Sequence, residues 1–416
     1  MTLLIKKALV DGEETDIFIE GNRIKEISRN LTYDAEKVID AKGHAAIPSF
    51  ANSHTHAAMT LLRGYADDMP LQEWLEEKIW PIEAKLTSEQ IYWGTRLACL
   101  EMIKTGTTFF NDMYWHSESV IKAVEDSGMR ASISPVLMDF FDEKRLNDQL
   151  EHIEGLYKKF YSNKNIMFSL GPHSIYTLSE KGLRWASHFA DKNNLLLHIH
   201  LSETKKEVED CIKNNGMTPV EYLEKIGFLG ENVIAAHCIW LNEDEISILR
   251  KRKTTLAYNP TSNMKLSSKG PFKYPQMKGM NITLGTDGPS SNNNLDMLEE
   301  MKFAALLQKE HHNPSIIAAK DAMEMTTINS SKFFSLNNGK IKEGKDADIL
   351  LIDLSLPQLN PCYNLTSNMV YSANGSCVKT TICQGKVLMQ DGCVEEEKEI
   401  IEKIDKISKI ISSGNF

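Results

Sequence analysis

Two histidines separated by a single residue, His54 and His56, follow a short apolar run near the start of the chain. The run, residues 45–51, has the length and composition of a buried strand. Because alternate residues of a strand point to the same face, the two imidazoles can lie side by side at the strand end. Neutral imidazole is a common ligand of zinc and related metals. The pair alone is weak evidence, since two polar residues in a turn would have the same pattern.

Later apolar runs also end in residues that can bind a metal. These are His173 on the fourth run, His198 and His200 on the fifth, His237 on the sixth and Asp287 on the eighth. Any one of them could be a structural residue. The chain has only 12 His in 416 residues, so their concentration at strand ends favours one shared metal site.

Eight apolar runs alternate with amphipathic helical stretches through the middle of the chain. Continuous apolar strands separated by helices are typical of parallel strands covered on the outside. We therefore predict an α/β fold, a (β/α)8 TIM barrel, whose active site lies at the carboxyl ends of the strands. A doubly wound open sheet is the alternative, although no G-x-G-x-x-G or P-loop pattern supports a nucleotide-binding version. The runs cover residues 46–51, 107–112, 130–138, 166–171, 195–200, 233–237, 254–259 and 282–287. The main helical stretches cover residues 88–105, 118–127, 144–160, 179–193, 218–226 and 242–250.

Both ends of the chain have short β-type runs with turn signals instead of this alternation. We expect residues 1–45 and 340–416 to form one composite β-sandwich domain plus a C-terminal helix, and residues 46–339 to form the catalytic barrel. The tail, residues 395–411, has isoleucines at helical spacing. It predicts a helix packed on the body, with a membrane-surface helix as the alternative.

Composition limits the classes of function. The net charge of −10 argues against binding of nucleic acid, which needs basic patches. No apolar run approaches the roughly 20 residues that span a bilayer, and residues 1–14 show no secretory signal. The 7 Cys are scattered without a Cys-x-x-Cys pair, which favours a reducing cytoplasm over a disulfide scaffold or a thiolate zinc site.

The strand-end residues resemble the pattern of the amidohydrolase superfamily, with His-x-His on strand one, His on strands five and six, and Asp on strand eight. More closely, the chain is similar to the 5′-methylthioadenosine/S-adenosylhomocysteine deaminases over nearly its whole length, including both β-rich ends. The segments that carry this likeness are residues 54–68, 74–75, 80–83, 200–204, 259–266, 285–288 and 291–296.

The resemblance implies one divalent metal ion, most commonly Zn²⁺, held by His54, His56, His200 and Asp287. Three His and one carboxylate leave a position for water, as an open catalytic site requires. Many binuclear members of the superfamily carry a bridging lysine on strand four, and its absence here favours a single metal. His198 points to the same face as His200, so we assign it to a barrel layer, with the reverse assignment as the alternative.

The resemblance also implies a hydrolytic deamination at C6 of an adenine ring. A divalent metal that lowers the pKa of water to about 7 would supply hydroxide at neutral pH. Asp287 would take the proton of that water, and Glu203 would protonate the ring nitrogen and then the leaving ammonia. His237 would stabilise the developing oxyanion. A solvated carboxylate at a strand end is the alternative interpretation of Glu203.

Four further residues are expected to contact substrate. By the resemblance, Glu83 binds the ribose hydroxyls, and a carboxylate suits a vicinal diol. His173 should contact the nucleoside. Arg145 would meet a homocysteine carboxylate or would simply be an exposed residue at a helix start. Trp74 would stack on the base, shape the pocket or pack in the core.

The implied substrates are 5′-methylthioadenosine, S-adenosylhomocysteine, and also adenosine or 5′-deoxyadenosine. Alternatives with the same metal site are a guanine, cytosine or pterin deaminase, or a triazine chlorohydrolase, whose substrates need no diol ligand such as Glu83. A non-enzymatic scaffold is a third alternative. Two departures from the family pattern stand out: Ser49 replaces a usual glycine, and residues 267–274 are less typical. The resemblance implies a homo-oligomer, either a dimer or a tetramer.

Overall fold

The computed structural model describes residues 2–414, so Met1, Asn415 and Phe416, which belong to the predicted terminal ranges, lie outside the described residues. The strands are β1 Thr2–Val10, β2 Glu13–Glu20, β3 Arg23–Ser28, β4 Lys37–Asp40, β5 His44–Pro48, β6 Phe50–Thr55, β7 Thr107–Tyr114, β8 Arg130–Leu137, β9 Ile166–Phe168, β10 Gly171–Pro172, β11 Leu197–Leu201, β12 Val233–His237, β13 Thr255–Tyr258, β14 Ile282–Leu284, β15 Ile349–Asp353, β16 Val378–Cys383, β17 Lys386–Gln390 and β18 Cys393–Val394. The α-helices are α1 Leu71–Glu73, α2 Trp80–Glu83, α3 Ser88–Thr105, α4 Ser117–Ser127, α5 Glu143–Phe160, α6 Glu180–Asn193, α7 Lys205–Asn215, α8 Pro219–Lys225, α9 Glu243–Arg252, α10 Pro260–Lys265, α11 Tyr274–Met277, α12 Met297–His311, α13 Ala319–Thr326, α14 Ile328–Phe333, α15 Leu365–Tyr371 and α16 Glu397–Ser413.

Strands β6 to β14 form a closed parallel barrel. Their ladders run β6-β7-β8 with β9 and β10 beside β8, and then β11-β12-β13-β14. The two halves join where Leu170 pairs with Leu197. The barrel closes where the Asp287 amide donates to the His54 carbonyl at 2.9 Å. The predicted barrel is therefore confirmed, and the open doubly wound sheet is wrong, because an open sheet would leave β6 and β14 at opposite edges.

The first predicted barrel strand, residues 46–51, is wrong as a single element. Pro48 ends β5, which pairs antiparallel with β15 outside the barrel, and Phe50 begins β6, which pairs parallel with β7. Both halves are buried, so hydrophobicity alone did not separate them. The fourth strand, predicted over residues 166–171, is likewise two short pieces, β9 and β10, and both pair with β8.

Strands from both chain ends form the terminal sheet, nine strands in one continuous ladder in the order β18-β17-β16-β15-β5-β1-β2-β3, with β4 beside β1. Its alternation follows the period of two expected for strands. Ile349 and Leu351 of β15 pack in the sheet's own core, whereas Leu350 and Ile352 pack against the barrel. The terminal sheet is thus fixed to the barrel through one buried face.

A buried ion-pair cluster also joins the two parts. Arg130, the first residue of β8, forms ion pairs with Asp346 at 3.3 Å and with Asp348. All three side chains are less than one tenth exposed. Asp348 additionally accepts hydrogen bonds from the Asn338 amide at 2.6 Å and the Gln384 backbone amide at 2.7 Å.

The tail helix predicted over residues 395–411 is confirmed as α16, which packs on α3. Its isoleucines at positions 400, 407 and 411 are buried, in keeping with the predicted spacing. Ion pairs from Arg96 to Glu396 and from Lys104 to Glu397 fix its first turn. Within residues 2–414, we find no helix long and apolar enough to cross a membrane.

Candidate metal centre and active-site pocket

Four potential ligand atoms converge at the carboxyl end of the barrel. The Nε2 atoms of His56 and His200 are 3.2 Å apart, and Asp287 Oδ1 lies 3.3 Å from Nε2 of both His54 and His56. Ligands at 2.0–2.1 Å in a tetrahedral zinc site are themselves about 3.3 Å apart. These three spacings match those around one small divalent cation, and His54, His56 and His200 each offer a ligand atom within 4.8 Å of the others.

The hydrogen bonds on the far side of each ring support the same conclusion. His56 Nδ1 lies 2.7 Å from the Met113 carbonyl, and His200 Nδ1 lies 2.9 Å from the His173 carbonyl. A carbonyl only accepts, so these rings carry their protons on Nδ1 when neutral and turn unprotonated Nε2 atoms toward each other. His54 Nε2 is buried and faces Asp287 Oδ1 at 3.3 Å. The facing lone pairs of neutral imidazoles, beside a carboxylate, are what a bound cation would satisfy.

Asp287 is held as an ionised carboxylate. Burial opposes the charge, but hydrogen bonds and charges from His54 and His56 bring the pKa of Asp287 well below its usual value. Its Oδ2 accepts from the hydroxyls of Ser262 at 2.6 Å and Ser291 at 2.9 Å. Burial also opposes charge on His56, yet the hydrogen bond and charge of Asp287 raise the pKa of His56 to about 9. This carboxylate therefore attracts positive charge strongly.

Glu203 and His237 face each other beside the four ligand atoms, with Glu203 Oε2 3.7 Å from His237 Nε2. Burial, reinforced by the charges of Asp287 and Glu207, raises the pKa of Glu203 well above its usual value, which favours the protonated carboxyl. Burial lowers the pKa of His237 to about 3. Its Nδ1 accepts a hydrogen bond from the Asn263 amide at 3.0 Å, which leaves Nε2–H as a donor aimed into the site.

The backbone is strained where the barrel strands deliver these groups. Ser202, His237, Cys238 and Asp287 have φ angles of 50°, 72°, 53° and 63°, in the left-handed region. Non-glycine residues adopt this conformation rarely, and such residues are concentrated at functional sites. The left-handed turns here redirect the chain directly after a buried strand.

An inner cavity of about 70 Å³ adjoins the candidate metal centre. Trp74 lies in its wall, at the start of a π-helical turn, Trp74–Ile79. This side chain is 4% exposed and its indole N–H donates to the Ala66 carbonyl at 2.9 Å. Trp74 therefore both packs in the core and shapes the cavity. Further residues in the wall are His56, Glu83, His173, Tyr176, Glu203 and Asp287.

Glu83 lies between the inner cavity and an outer cavity of about 850 Å³. The Tyr114 hydroxyl donates to Glu83 Oε1 at 2.6 Å. Burial raises the pKa of Glu83 to about 7, although this hydrogen bond and the charge of His56 oppose the rise. Arg145 lines the outer cavity, with its guanidinium 4.7 Å from the centre of the Phe140 ring. It is also an exposed residue in the first turn of α5, and its contact with a substrate carboxylate stays a prediction.

The two remaining histidines occupy different depths. His173 follows β10 in the cavity wall, and its Nδ1 is 2.9 Å from the Thr177 hydroxyl. Burial and the charges of the neighbouring histidines lower the pKa of His173 to about 3, so the ring is neutral. His198 lies behind the ligand cluster, where its Nε2 is 2.6 Å from His54 Nδ1.

Several side chains in contact with these groups were not singled out from the sequence. Tyr114 ends β7, which continues two residues beyond the predicted strand. Applying the strand-end rule to the observed end would have identified this tyrosine. Ser262 and Asn263 lie in a segment that carried the family resemblance without an assigned role. Ser291 also lies in a segment that carried the resemblance, and its hydroxyl donates to Asp287 Oδ2.

Comparisons with known proteins agree with this geometry. The sequence pattern of the amidohydrolase family matches residues 45–388. The chain is 46% identical to 5-methylthioadenosine/S-adenosylhomocysteine deaminase 1 of Archaeoglobus fulgidus, over 99% of this chain and 98% of that protein. It is also 46% identical to 5′-deoxyadenosine deaminase of Methanospirillum hungatei, over 96% and 91%. An adenosine deaminase from Xanthomonas campestris with bound zinc superposes with a TM-score of 0.94 at 27% identity, covering 99% and 98%.

The family match spans most of the chain, and the two relatives extend it to nearly the full length. The family resemblance inferred from the sequence is thereby confirmed. Together with the closed barrel, these matches show that the chain belongs to the amidohydrolase family.

Proposed function

We propose that this protein is a metal-dependent hydrolytic deaminase that converts the 6-amino group of 5′-substituted adenosines to the 6-oxo group and releases ammonia. The observation that carries the proposal is the convergence of potential metal ligands from His54, His56, His200 and Asp287 beside the facing side chains of Glu203 and His237. Relatives named for methylthioadenosine, S-adenosylhomocysteine and 5′-deoxyadenosine support this substrate class. Adenosine itself is a further candidate.

In this proposal His54, His56, His200 and Asp287 hold one divalent metal ion, and we propose zinc. The donor set supports zinc, since three imidazoles and one carboxylate suit a four-coordinate catalytic site with one open position. When bound, the ion would act as a Lewis acid that lowers the pKa of water to about 7.

The protein's own groups move the protons. Asp287 is ionised, so its carboxylate accepts a proton from the attacking water. The raised pKa of Glu203 favours its protonated form, so we assign its carboxyl as the donor of a proton to the ring nitrogen next to C6. The same side chain, once ionised, takes the proton of the new hydroxyl at C6 and passes it to the departing amino group, which leaves as ammonia while C6 becomes the 6-oxo carbon. Two carboxyl groups whose pKa values are displaced in opposite directions suit these opposite roles.

His237 stabilises charge without changing protonation state. Its Nδ1 accepts from the Asn263 amide, so Nε2–H donates to the oxygen that gains negative charge at C6. The low pKa of His237 keeps the ring neutral throughout.

Substrate recognition is assigned to four residues around the cavities. Glu83 accepts hydrogen bonds from the ribose hydroxyls, and His173 contacts the nucleoside. Trp74 shapes the wall against the base. Arg145, in the outer cavity, meets the carboxylate of a homocysteine-bearing substrate. The position of Glu83 between the inner and outer cavities supports this orientation, with the base inward and the 5′ group outward.

We further propose that the protein acts as a homo-oligomer in the cytoplasm. Support for the reducing compartment comes from the cysteines, all seven of which are free thiols in the described chain.

Ammonia release by the zinc-loaded protein tests the function. The panel comprises 5′-methylthioadenosine, S-adenosylhomocysteine, 5′-deoxyadenosine, adenosine, adenine, guanine and cytosine. We expect turnover of the 5′-substituted nucleosides and a loss of about 10²- to 10⁴-fold in kcat for Glu203→Gln. Glu89→Gln, at an exposed position, is the matched control. Turnover of free bases alone, or full activity of Glu203→Gln, would contradict the proposal.

A further inference from the structure

Each of the three histidines of the candidate metal centre has a hydrogen-bond partner at Nδ1, and these partners are of two kinds. His56 and His200 have backbone carbonyls at Nδ1, and a carbonyl can only accept. His54 Nδ1 instead lies 2.6 Å from His198 Nε2. An imidazole nitrogen either donates or accepts, depending on which nitrogen carries the proton. Among the three histidines, only His54 therefore has a neighbouring side chain at Nδ1 that can influence which ring nitrogen carries the proton.

A hydroxyl, which can accept or donate a hydrogen bond, neighbours the other ring nitrogen of His198. Its Nδ1 faces the Ser134 hydroxyl at 3.4 Å. That hydroxyl lies 2.8 Å from the Ser169 hydroxyl, which in turn lies 2.8 Å from Ser132. When His198 Nδ1–H donates to Ser134, its Nε2 offers a lone pair to His54. These side chains are all buried in the barrel interior, where water does not compete.

We propose that His198 is a positioning residue that keeps the proton of His54 on Nδ1 and so leaves His54 Nε2 free to bind the metal. The inference rests on the metal site of the proposed function. The inward-facing His198 is thus more than a space-filling layer of the barrel, because its hydrogen bond selects the tautomer of a ligand on another barrel strand, β6.

Loss of the acceptor at position 198 has a defined consequence. A buried His54 Nδ1–H without an acceptor is unfavourable, so the proton moves to Nε2, where it blocks coordination. Removal of a side chain that supports a metal ligand in this way typically weakens metal affinity 10- to 100-fold. At saturating metal the active site still assembles, so we expect kcat to change much less than metal affinity.

Two substitutions separate hydrogen bonding from packing. His198→Phe keeps a ring but removes the acceptor, whereas His198→Gln restores an acceptor through its amide oxygen. Zinc affinity of the full chain is measured by competition with a chromogenic chelator, and the visible spectrum of the Co²⁺ form reports the coordination. We expect zinc affinity to fall 10- to 100-fold in His198→Phe, with an altered Co²⁺ spectrum, and to stay near the wild-type value in His198→Gln. Ser132→Ala, whose hydroxyl is separated from His198 by the hydroxyls of Ser134 and Ser169, is the matched control and should bind zinc normally.

Wild-type zinc affinity in His198→Phe would overturn the inference, as would equal weakening in the Phe and Gln variants, which would indicate packing alone. A direct measurement needs no variant: ¹⁵N NMR of the histidines in the metal-free protein should show His54 and His198 each protonated on Nδ1. A proton on Nε2 of His198 would overturn the inference even if the variants failed to fold. Absence of zinc binding by the wild-type protein would refute the proposed metal site itself, an outcome that differs from all of these.

Discussion

Replacing Glu83 by glutamine tests how the protein recognises a nucleoside. The substitution keeps the side-chain volume but removes the negative charge. Glu83 Oε1 already accepts a hydrogen bond from the Tyr114 hydroxyl at 2.6 Å, which leaves Oε2 for the substrate. A ribose diol would donate to this carboxylate.

The expected loss of kcat/KM follows from the number of hydrogen bonds that Glu83 can make to the substrate. A hydrogen bond to a charged group contributes about 1.5–3 kcal/mol, and one oxygen of Glu83 is free to make it. Since about 1.36 kcal/mol corresponds to a factor of ten, Glu83→Gln should lower kcat/KM for ribonucleosides by about 10- to 150-fold. A substrate without the diol has no such bond to lose.

The assay compares adenosine with 2′,3′-dideoxyadenosine in the zinc-loaded wild type and in Glu83→Gln, with release of ammonia as the readout. We expect the substitution to affect adenosine strongly and the dideoxy analogue little. Tyr114→Phe is the matched control, because it removes the hydroxyl next to Glu83 and keeps the carboxylate. Equal losses on both substrates would refute diol recognition and would assign Glu83 a structural role.

The pH dependence gives a second test of the same residue. Burial raises the pKa of Glu83 to about 7, so the accepting carboxylate predominates only above that pH. Ionisation of metal-bound water near the same pH affects every substrate. In the wild type, kcat/KM should therefore rise more for adenosine than for the dideoxy analogue as the pH increases through about 7, and Glu83→Gln should remove this difference. A wild-type profile identical for adenosine and the dideoxy analogue would contradict the assignment.

Three other predictions concern stability and the metal. Arg130→Met leaves Asp348 buried without its ionic partner, so urea unfolding should show a loss of about 3–5 kcal/mol; an unchanged midpoint would contradict the role of the pair. Burial raises the pKa of Glu300 to about 8, so the folded state retains a proton that the unfolded state releases between about pH 4.5 and 8. Stability should fall as the pH rises through this range, and Glu300→Gln should remove that part of the fall. Chelation of the metal should abolish deamination and lower Tm, and zinc should restore both; activity that survives full metal removal would refute the metal requirement.

The barrel and the chemical types of its strand-end residues could be predicted from the sequence. A period-two strand dictates that His54 and His56 share a face, and the parallel arrangement brings His200 and Asp287 to the same end. These inferences are reliable because they depend only on neighbours along the chain and on the general rule for parallel strands.

Other features depended on partners far away in the sequence. The run over residues 46–51 is apolar throughout, and only pairing with β15 on one side and β7 on the other assigned its halves to different sheets. The contact between Tyr114 and Glu83 joins residues 31 positions apart. No local pattern specifies such pairs.

The histidines of the fifth strand show the division most clearly. The sequence by itself determined that His198 and His200 are inward-facing imidazoles, because they are two residues apart on one buried strand. Only the tertiary structure decided their different environments. His200 Nε2 lies 3.2 Å from His56 Nε2, among the potential metal ligands. His198 Nε2 instead lies 2.6 Å from Nδ1 of His54, the nitrogen on the other side of the His54 ring from the candidate metal centre. Strand register and barrel closure set how deep each histidine lies along the barrel axis and which partner each ring nitrogen meets. Register and closure depend on residues that are distant in the sequence.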